Sequence, residues 1–249
     1  MNLMSISAVT RSDKGWVREI NEDNVAVLEE HRLVVLADGM GGYNAGEVAS
    51  QLAVETITAE LLPLYTGENA EPSERDIRAA VEAANTAIRA AVQSEPAYEG
   101  MATTLVMALF CDQRVHYGHV GDSRLYRLRK GRLEQLTRDH SMVQALVDEG
   151  MFDSIAEALD AGVKGNILLR GLGIQETVEV DVASAAVEAD DLYLVCSDGL
   201  SNMVSDQEML GILLDADGDI EQAAGRLLQT ALDNGGLDNV SLALVCPQS

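Results

Sequence analysis

Positive charge is scarce in this chain. Its 249 residues carry 17 Lys and Arg against 41 Asp and Glu, a formal net charge of -24. That argues against a nucleic-acid partner or an anionic membrane, because phosphate backbones are held by stripes of Lys and Arg. An acidic, soluble, bacterial-type surface accounts for most of the excess, and a protein that gathers carboxylates around metal fits it too. Cysteine is almost as sparse. Cys111, Cys196 and Cys246 are odd in number, and each lies at or beside an apolar strand. They read as buried, reduced thiols of a cytoplasmic protein rather than a disulfide framework. None is followed six positions later by Arg, which excludes the loop of cysteine-dependent phosphatases. No apolar run reaches the ~18 residues of a membrane span. Residues 1–7 lack the basic and apolar regions of a signal peptide. With 47% apolar residues the chain is globular, and its length suits one large domain or two small ones.

Against those absences one device repeats. Val34-Val35-Leu36-Ala37 reads as a buried strand and runs straight into Asp38-Gly39-Met40-Gly41-Gly42. Such a strand delivers a carboxylate to a sheet edge, and the glycines allow a sharp turn and a close approach. Taken alone, an Asp-Gly is as readily a solvated turn. Residues 192–196 form a second apolar run that ends in Ser197-Asp198-Gly199. Val120-Gly121-Asp122-Ser123 and Gly235-Gly236-Leu237-Asp238-Asn239 place two more aspartates beside glycine at strand edges. If these carboxylates converge, they need a cation.

The remaining pattern is α+β. Strands are expected at 5–10, 24–28, 33–37, 102–110, 114–120, 123–129, 132–136, 177–182, 192–197 and 240–245, with Lys130-Gly131 as a two-residue hairpin turn. A polar loop at 11–24 holds the only Trp, Trp16. A helix from about Ala45 carries Val48, Leu52, Ala53, Ile57 and Leu61 on one face and stops at Pro63. After a polar loop at 66–72, Ser73-x-x-Asp76 caps a second helix with Ile77, Val81, Ala84, Ile88 and Val92 as its stripe. Two short helices around Gly150 lead to a loop at 162–166 expected to be mobile. Ser205-x-x-Glu208 caps another helix, and a long one at 220–232 is stopped by Gly235-Gly236. Short connections between successive strands imply antiparallel pairing. Helices between runs of strands imply layers.

Asp38, Asp122, Asp198 and Asp238 have no His or Cys near them at zinc spacing. Oxygen-only ligands select Mg²⁺ or Mn²⁺, and a pair of such ions suits in-line attack of water on phosphorus. Arg18 could grip a phosphate with its fork, although a lone Arg in a polar loop is more commonly a surface charge. His140 reads as a hydrogen-bonding residue at a helix start, or as one that touches the site. His116 and His119 read as packing or surface residues. Asp215-x-Asp217-Gly218-Asp219 lacks the Gly and Glu of a calcium loop and reads as a helix-helix turn.

Six segments occur together in order: Arg18-x-x-x-Glu22-Asp23, Asp38-Gly39-Met40-Gly41-Gly42, Met101-Ala102-Thr103-Thr104, Gly118-His119-Val120-Gly121-Asp122-Ser123-Arg124, Ser197-Asp198-Gly199 and Asp238-Asn239-Val240. In that order the chain resembles the metal-dependent PPM/PP2C serine/threonine protein phosphatases, in their bacterial, free-standing form, over about residues 6–246. The resemblance implies a four-layer αββα sandwich of two antiparallel sheets flanked by helices. It implies one phosphatase domain over 1–249, with a flap at about 150–170. It implies two Mn²⁺ or Mg²⁺ ions, with Asp38 bridging, the Gly39 carbonyl on one ion, and Asp198 and Asp238 on the other. Asp38, Asp198 and Asp238 would then be the catalytic carboxylates. Asp122 would help Asp198 hold a weaker third ion, and Arg18 would bind the substrate phosphate. Glu22 and Asp23 would act through waters, and Asn239 would support the site from behind. The activity implied is hydrolysis of phosphoserine and phosphothreonine by an activated water, without a phosphoenzyme. The implied partners are phosphoprotein substrates and an opposing Hanks-type kinase, with type VI secretion control as one setting. A cytoplasmic monomer is expected. Two departures stand out. Met40 occupies the place of the His proposed as general acid in eukaryotic members. Ala161-Gly162-Val163-Lys164 replaces the flap His-Pro pair of many bacterial ones.

Overall fold

In the computed structural model, which describes residues 4–41, 45–65, 73–111 and 113–248, the strands pair into two sheets. Gly42 and the polar loop at 66–72 lie outside the described residues. The first sheet contains β1 (Ser5–Asp13), β7 (Arg124–Arg129), β8 (Arg132–Gln135), β10 (Leu192–Cys196) and β11 (Val240–Gln248), in the order β1-β11-β10-β7-β8. The second contains β2 (Asp23–Leu28), β3 (Leu33–Met40), β5 (Leu105–Cys111), β6 (Arg114–Val120) and β9 (Asp181–Ala186), in the order β2-β3-β5-β6-β9, with β4 (Ala102–Thr103) pairing the end of β3. Every pairing is antiparallel.

Side-chain alternation decides the layers. Val34 and Leu36 of β3 and Val106, Ala108 and Phe110 of β5 pack against Leu125, Tyr193, Val195, Ala243 and Val245 of the other sheet. Their neighbours Leu33, Val35, Ala37, Leu105, Met107 and Leu109 point the opposite way. These meet α1 (Ala45–Leu61) and α2 (Glu74–Ser94) through Ala49, Ala53, Ile57, Ile77, Val81 and Ile88. On the far side, Leu194, Cys196, Leu242 and Leu244 meet α6 (Asp206–Asp215) and α7 (Ile220–Asp233) through Met209, Leu213, Ala224 and Leu227. The result is the expected αββα sandwich. Each large apolar side chain so buried contributes about 1.5–3 kcal/mol. A one-residue slip of β3 would turn both of its faces the wrong way, so its register is fixed.

The local signals hold with four changes. Ser73 and Ser205 form capping boxes, and Lys130 (φ 49°) and Gly131 (φ 75°) make the two-residue hairpin turn. The Asp215–Asp219 stretch is the turn between α6 and α7. The first change is at β3, which continues through Asp38, Gly39 and Met40 where a sharp turn was expected, because Gly39 and Met40 pair with Thr103 and Ala102. Gly39 is required by approach instead: a Cβ there would stand 2.1 Å from the Gly46 carbonyl oxygen of α1. Second, the strand expected at 102–110 breaks at Thr104, whose hydroxyl rather than its carbonyl takes the N–H of Asp38. Third, the strand expected at 177–182 lies at Asp181–Ala186. The preceding backbone is held by Asn85 of α2, which accepts from Gly173 N–H at 2.7 Å and donates to the Gln175 and Glu176 carbonyls. Finally, the fully buried stripe of α1 is Ala45, Ala49, Ala53, Ile57 and Leu61, with Val48 and Leu52 only partly covered, because the alanines let the helix lie close on β3.

Candidate active site

Both sheets end at one cleft of about 260 Å³. The end of β3 supplies Asp38 and Gly39, and the loop before β2 supplies Arg18 and Glu22. Asp122 comes from the connection between β6 and β7, which crosses from one sheet to the other. Asp198 opens the short helix α5 (Asp198–Ser201) directly after β10, and Asp238 precedes β11. Residues from Arg18 to Asp238 therefore line one cavity. Asp23 lies beside them as the cross-strand partner of Asp38. Asn166 and Leu168 complete the wall from the 150–170 stretch, which also carries α3 (Met142–Asp148) at its approach and α4 (Ile155–Asp160).

Short polar contacts hold these groups. Thr104 Oγ1 accepts the Asp38 N–H at 3.0 Å and meets Ser123 Oγ at 2.7 Å. Thr103 Oγ1 and Thr104 N–H both donate to the Asp38 carbonyl, at 2.8 and 2.9 Å. Asn239 is a strap. Its Oδ1 accepts from Glu22 N–H at 2.8 Å, and its Nδ2 donates to the Lys14 and Ile20 carbonyls at 3.0 and 2.8 Å. One Glu22 carboxylate oxygen accepts from Gly46 N–H at 3.1 Å, an amide in the first turn of α1 that has no partner within the helix. Ser197 Oγ donates to Asp23 at 2.8 Å, and Asn202 Nδ2 donates to Asp198 at 3.1 Å. Arg18 pairs with Asp238 at 2.7 Å. A Cβ on Gly199 would stand 2.0 Å from the Asn239 carbonyl oxygen, so only glycine lets α5 start against the β11 approach. Thr104, Ser123, Ser197, Asn202, Asn166 and Leu168 had no role assigned from sequence. Thr104, Ser123 and Ser197 lie inside the segments that carry the family resemblance, and Asn166 and Leu168 in the stretch expected as a flap; Asn202 gave no signal of one.

The electrostatics are unbalanced. Burial, then the neighbouring Asp23, Asp198 and Asp122, push the Asp38 carboxyl well above its ordinary range. Burial and nearby acids raise Asp23 and Asp122 to about 7. Burial and Asp238 raise Asp198, and burial raises Glu22. Asp23 Oδ1 is buried with no hydrogen-bond partner. Among the described residues, Arg18 is the one cation lining the cleft. Arg124, next to the Asp122 loop, is committed to Asp139 by bonds of 2.6–3.1 Å. Hard cations with oxygen ligands are the chemistry this donor set fits.

The protein phosphatase 2C family model matches residues 17–233. This chain belongs to the PP2C family of protein phosphatases. Mycobacterium tuberculosis serine/threonine protein phosphatase PstP is 44% identical over 234 residues, which are 94% of this chain and 43% of PstP. The chain thus spans less than half of that relative's length. A solved PstP catalytic domain in complex with two manganese ions is 41% identical, with a TM-score of 0.84, covering 99% of this chain and 100% of that one. The serine/threonine phosphatase stp of Listeria welshimeri is 39% identical over 238 residues, 94% of this chain and 93% of its own length. The solved structure of PppA, a key regulatory component of the type VI secretion system in Pseudomonas aeruginosa, is 30% identical with a TM-score of 0.81, covering 98% of this chain and 100% of that one.

The histidines of this PP2C member lie outside the cleft. His140 brackets Gly121: its N–H donates to the Gly121 carbonyl at 2.9 Å, and its Nδ1 accepts from the Gly121 N–H at 3.1 Å. The structural reading of His140 holds, and its anchor is the residue before Asp122. His119 is buried, stacked on His140 with ring centroids 4.6 Å apart, and its Nε2 contacts the Arg138 carbonyl at 2.8 Å. With Asp181 these rings bring ligand-type atoms within 4.8 Å of one another. Their neighbours argue against a metal. The Gly121 N–H occupies His140 Nδ1 at 3.1 Å, and the Arg170 guanidinium, itself a cation, lies 3.1 Å from His140 Nε2 and 3.0 Å from Asp181. His119 Nε2 faces the Arg138 carbonyl at 2.8 Å and so carries its proton.

Proposed function

We propose that this chain is a metal-dependent serine/threonine protein phosphatase. The observation that carries the reading is the convergence of Asp38, Asp122, Asp198 and Asp238 on one cleft beside Arg18. Asp38, Asp198, Asp238 and the Gly39 carbonyl would hold two Mn²⁺ or Mg²⁺ ions, and Asp122 with Asp198 a weaker third. The raised carboxyl groups and the unpartnered Asp23 Oδ1 are what a site needing positive charge looks like without it. The manganese in the PstP domain supports the same choice of ion. When bound, such ions activate water at neutral pH and offset charge on phosphoryl oxygens.

The chain's own residues do the positioning. Arg18 has five N–H donors, half-exposes its side chain, and reaches Asp238 with one of them, so it can turn a fork toward a phosphate while still tethered. Thr104 and Thr103 fix both backbone groups of Asp38, and Asn239 locks the Arg18–Glu22 loop to Asp238. With a net charge of -24 the surface repels a doubly charged phosphate, so binding depends on the cations and Arg18. We read the chain as one phosphatase domain, with residues 150–170 as its flap. Asn166 and Leu168 would then touch bound substrate. An opposing Hanks-type kinase, a cytoplasmic monomer and, on the likeness to PppA, a role in type VI secretion control belong to the same proposal.

The test is phosphate release from a phosphothreonine peptide with Mn²⁺, Mg²⁺ or EDTA, for wild type and for Asp38→Ala and Asp198→Ala. Release that needs metal and is lost in both variants is expected. Folded wild-type protein that releases nothing under either metal would move the weight to a binding module. Release from small phosphoesters but from no phosphopeptide would make it a small-molecule enzyme.

A further inference from the structure

We infer that Trp16, Val17 and Leu237 form a docking ledge for a bulky apolar side chain next to the phosphorylated Ser or Thr of the protein substrate. The inference rests on reading the cleft as a phosphoprotein phosphatase site. Trp16 is the only tryptophan in the chain, and it is 69% exposed. Val17 and Leu237 are 61% and 56% exposed. Scattered apolar residues on a surface need no explanation, but these belong to two loops clamped against each other.

The clamp is specific. Trp16 N–H donates to the Gly236 carbonyl at 2.8 Å, and the indole Nε1–H donates to the Leu232 carbonyl at 3.0 Å. A Cβ on Gly236 would stand 2.7 Å from Trp16 Cδ1, so the indole lies directly on bare backbone. A Cβ on Gly15 would stand 2.2 Å from the Asp238 carbonyl oxygen. The ring is therefore fixed on one side and open on the other. A rigid aromatic surface gives contact area at little entropic cost on binding.

The ledge is continuous with the phosphate seat. Val17 adjoins Arg18, Leu237 adjoins Asp238, and Arg18 and Asp238 pair at 2.7 Å. Consecutive Cα atoms are about 3.8 Å apart, so an extended segment with its phosphate at Arg18 has its neighbouring residues within reach of Trp16 and Leu237. A small phosphoester has nothing to place there. The occupant is thus the apolar flank of a phosphopeptide, and this surface would select among phosphoproteins without taking part in the chemistry.

The test uses the whole chain with Mn²⁺ and three substrates: a phosphothreonine peptide with Leu or Phe beside the phosphothreonine, the same peptide with Ser there, and p-nitrophenyl phosphate. Trp16→Ala should raise KM for the apolar peptide about tenfold. It should leave kcat, and both constants for p-nitrophenyl phosphate, near wild type. Leu237→Ser, which leaves the Trp16 anchors intact, should act in the same direction more weakly. It keeps the question answerable if Trp16→Ala does not fold. Trp16 is also its own reporter: a non-hydrolysable phosphonate version of the apolar peptide should shift the emission of wild-type protein to the blue and protect it from acrylamide. An unchanged KM in both variants, an equal loss on all three substrates, or a blue shift that follows protein concentration without peptide (a second copy covering the ledge) would overturn the inference. No release from any of the three substrates would overturn the reading of the cleft, and the ledge with it.

Discussion

Replacing Thr104 by Val removes one hydroxyl and almost no volume. Thr104 is fully buried where the strand leading to β5 breaks, and its Oγ1 accepts the Asp38 N–H at 3.0 Å. The same hydroxyl shares a hydrogen bond with Ser123 Oγ, 2.7 Å away and also buried. Thr104→Val therefore strands a buried amide and removes the partner of a buried hydroxyl. A stranded buried donor costs about 1–3 kcal/mol. For a chain of this size that is a loss of about 2–12 °C in Tm, since each kcal/mol is worth about 2–4 °C. Activity should suffer separately, because the amide belongs to the residue that carries the central carboxylate. A displacement of about 1 Å in a reacting group can cost about 10²-fold. The assay is thermal melting together with steady-state hydrolysis of a phosphothreonine peptide in Mn²⁺. Thr104→Val should lower kcat by about 10–100-fold while KM changes little. Thr104→Ser, which keeps the hydroxyl, should stay close to wild type in both. A Val variant with wild-type kcat and Tm would refute the claim that this side chain holds Asp38.

Asp23, Asp38 and Asp122 have carboxyl groups raised above their unfolded range, Asp23 and Asp122 to about 7, so without metal their contribution to stability is full below about pH 4 and is lost as pH rises through the raised values. EDTA-treated protein should melt lower at pH 8 than at pH 5.5, and Mn²⁺ at pH 8 should restore the loss; a flat profile would count against the unbalanced cleft. Gly39→Ala drives a Cβ to 2.1 Å from the Gly46 carbonyl oxygen, which is backbone and must move, so the variant should melt lower and hydrolyse nothing measurable. His140→Ala leaves the Gly121 N–H without its acceptor, and hydrogen exchange at Gly121 and Asp122 should speed up with a Tm loss of about 2–12 °C. Met40 lines the cleft and no histidine does, so rates should fall steeply as the leaving group becomes more basic, and Met40→His should flatten that dependence. Equal rates for aryl and alkyl phosphates in wild type would contradict this.

The fold was legible in the sequence where a residue's own neighbours decide its conformation. Capping boxes at Ser73 and Ser205, the Lys130-Gly131 turn and the apolar strand through 33–37 need only local chemistry, and each stands where it was read. The misplacements occur where a partner far along the chain intervenes. Residues 177–180 have a strand-like composition, but Asn85, about 90 residues earlier, takes the adjoining backbone and leaves the ladder to begin at Asp181. Asp38-Gly39-Met40 has turn composition, but the second strand waiting at Ala102–Thr103 extends it.

The same division explains the site. The aspartates announced themselves because a carboxylate at the end of an apolar strand is costly without a purpose. The hydroxyl and amide groups that hold them did not, because Thr, Ser and Asn are common everywhere and acquire a role only from what lies opposite. Asn239 shows the difference. The family resemblance implied support, yet the support it gives is to the Glu22 amide and the Lys14 and Ile20 carbonyls, more than 200 positions away. That strap makes the two chain ends one unit. β1 pairs with β11 along its whole length, and the loop after β1 and the loop before β11 carry Arg18 and Asp238. The Arg18–Asp238 pair therefore forms only once the first and last strands have met, so if Arg18 holds the substrate phosphate as proposed, loosening the β1–β11 edge should reduce affinity for phosphate before it unfolds the central strands.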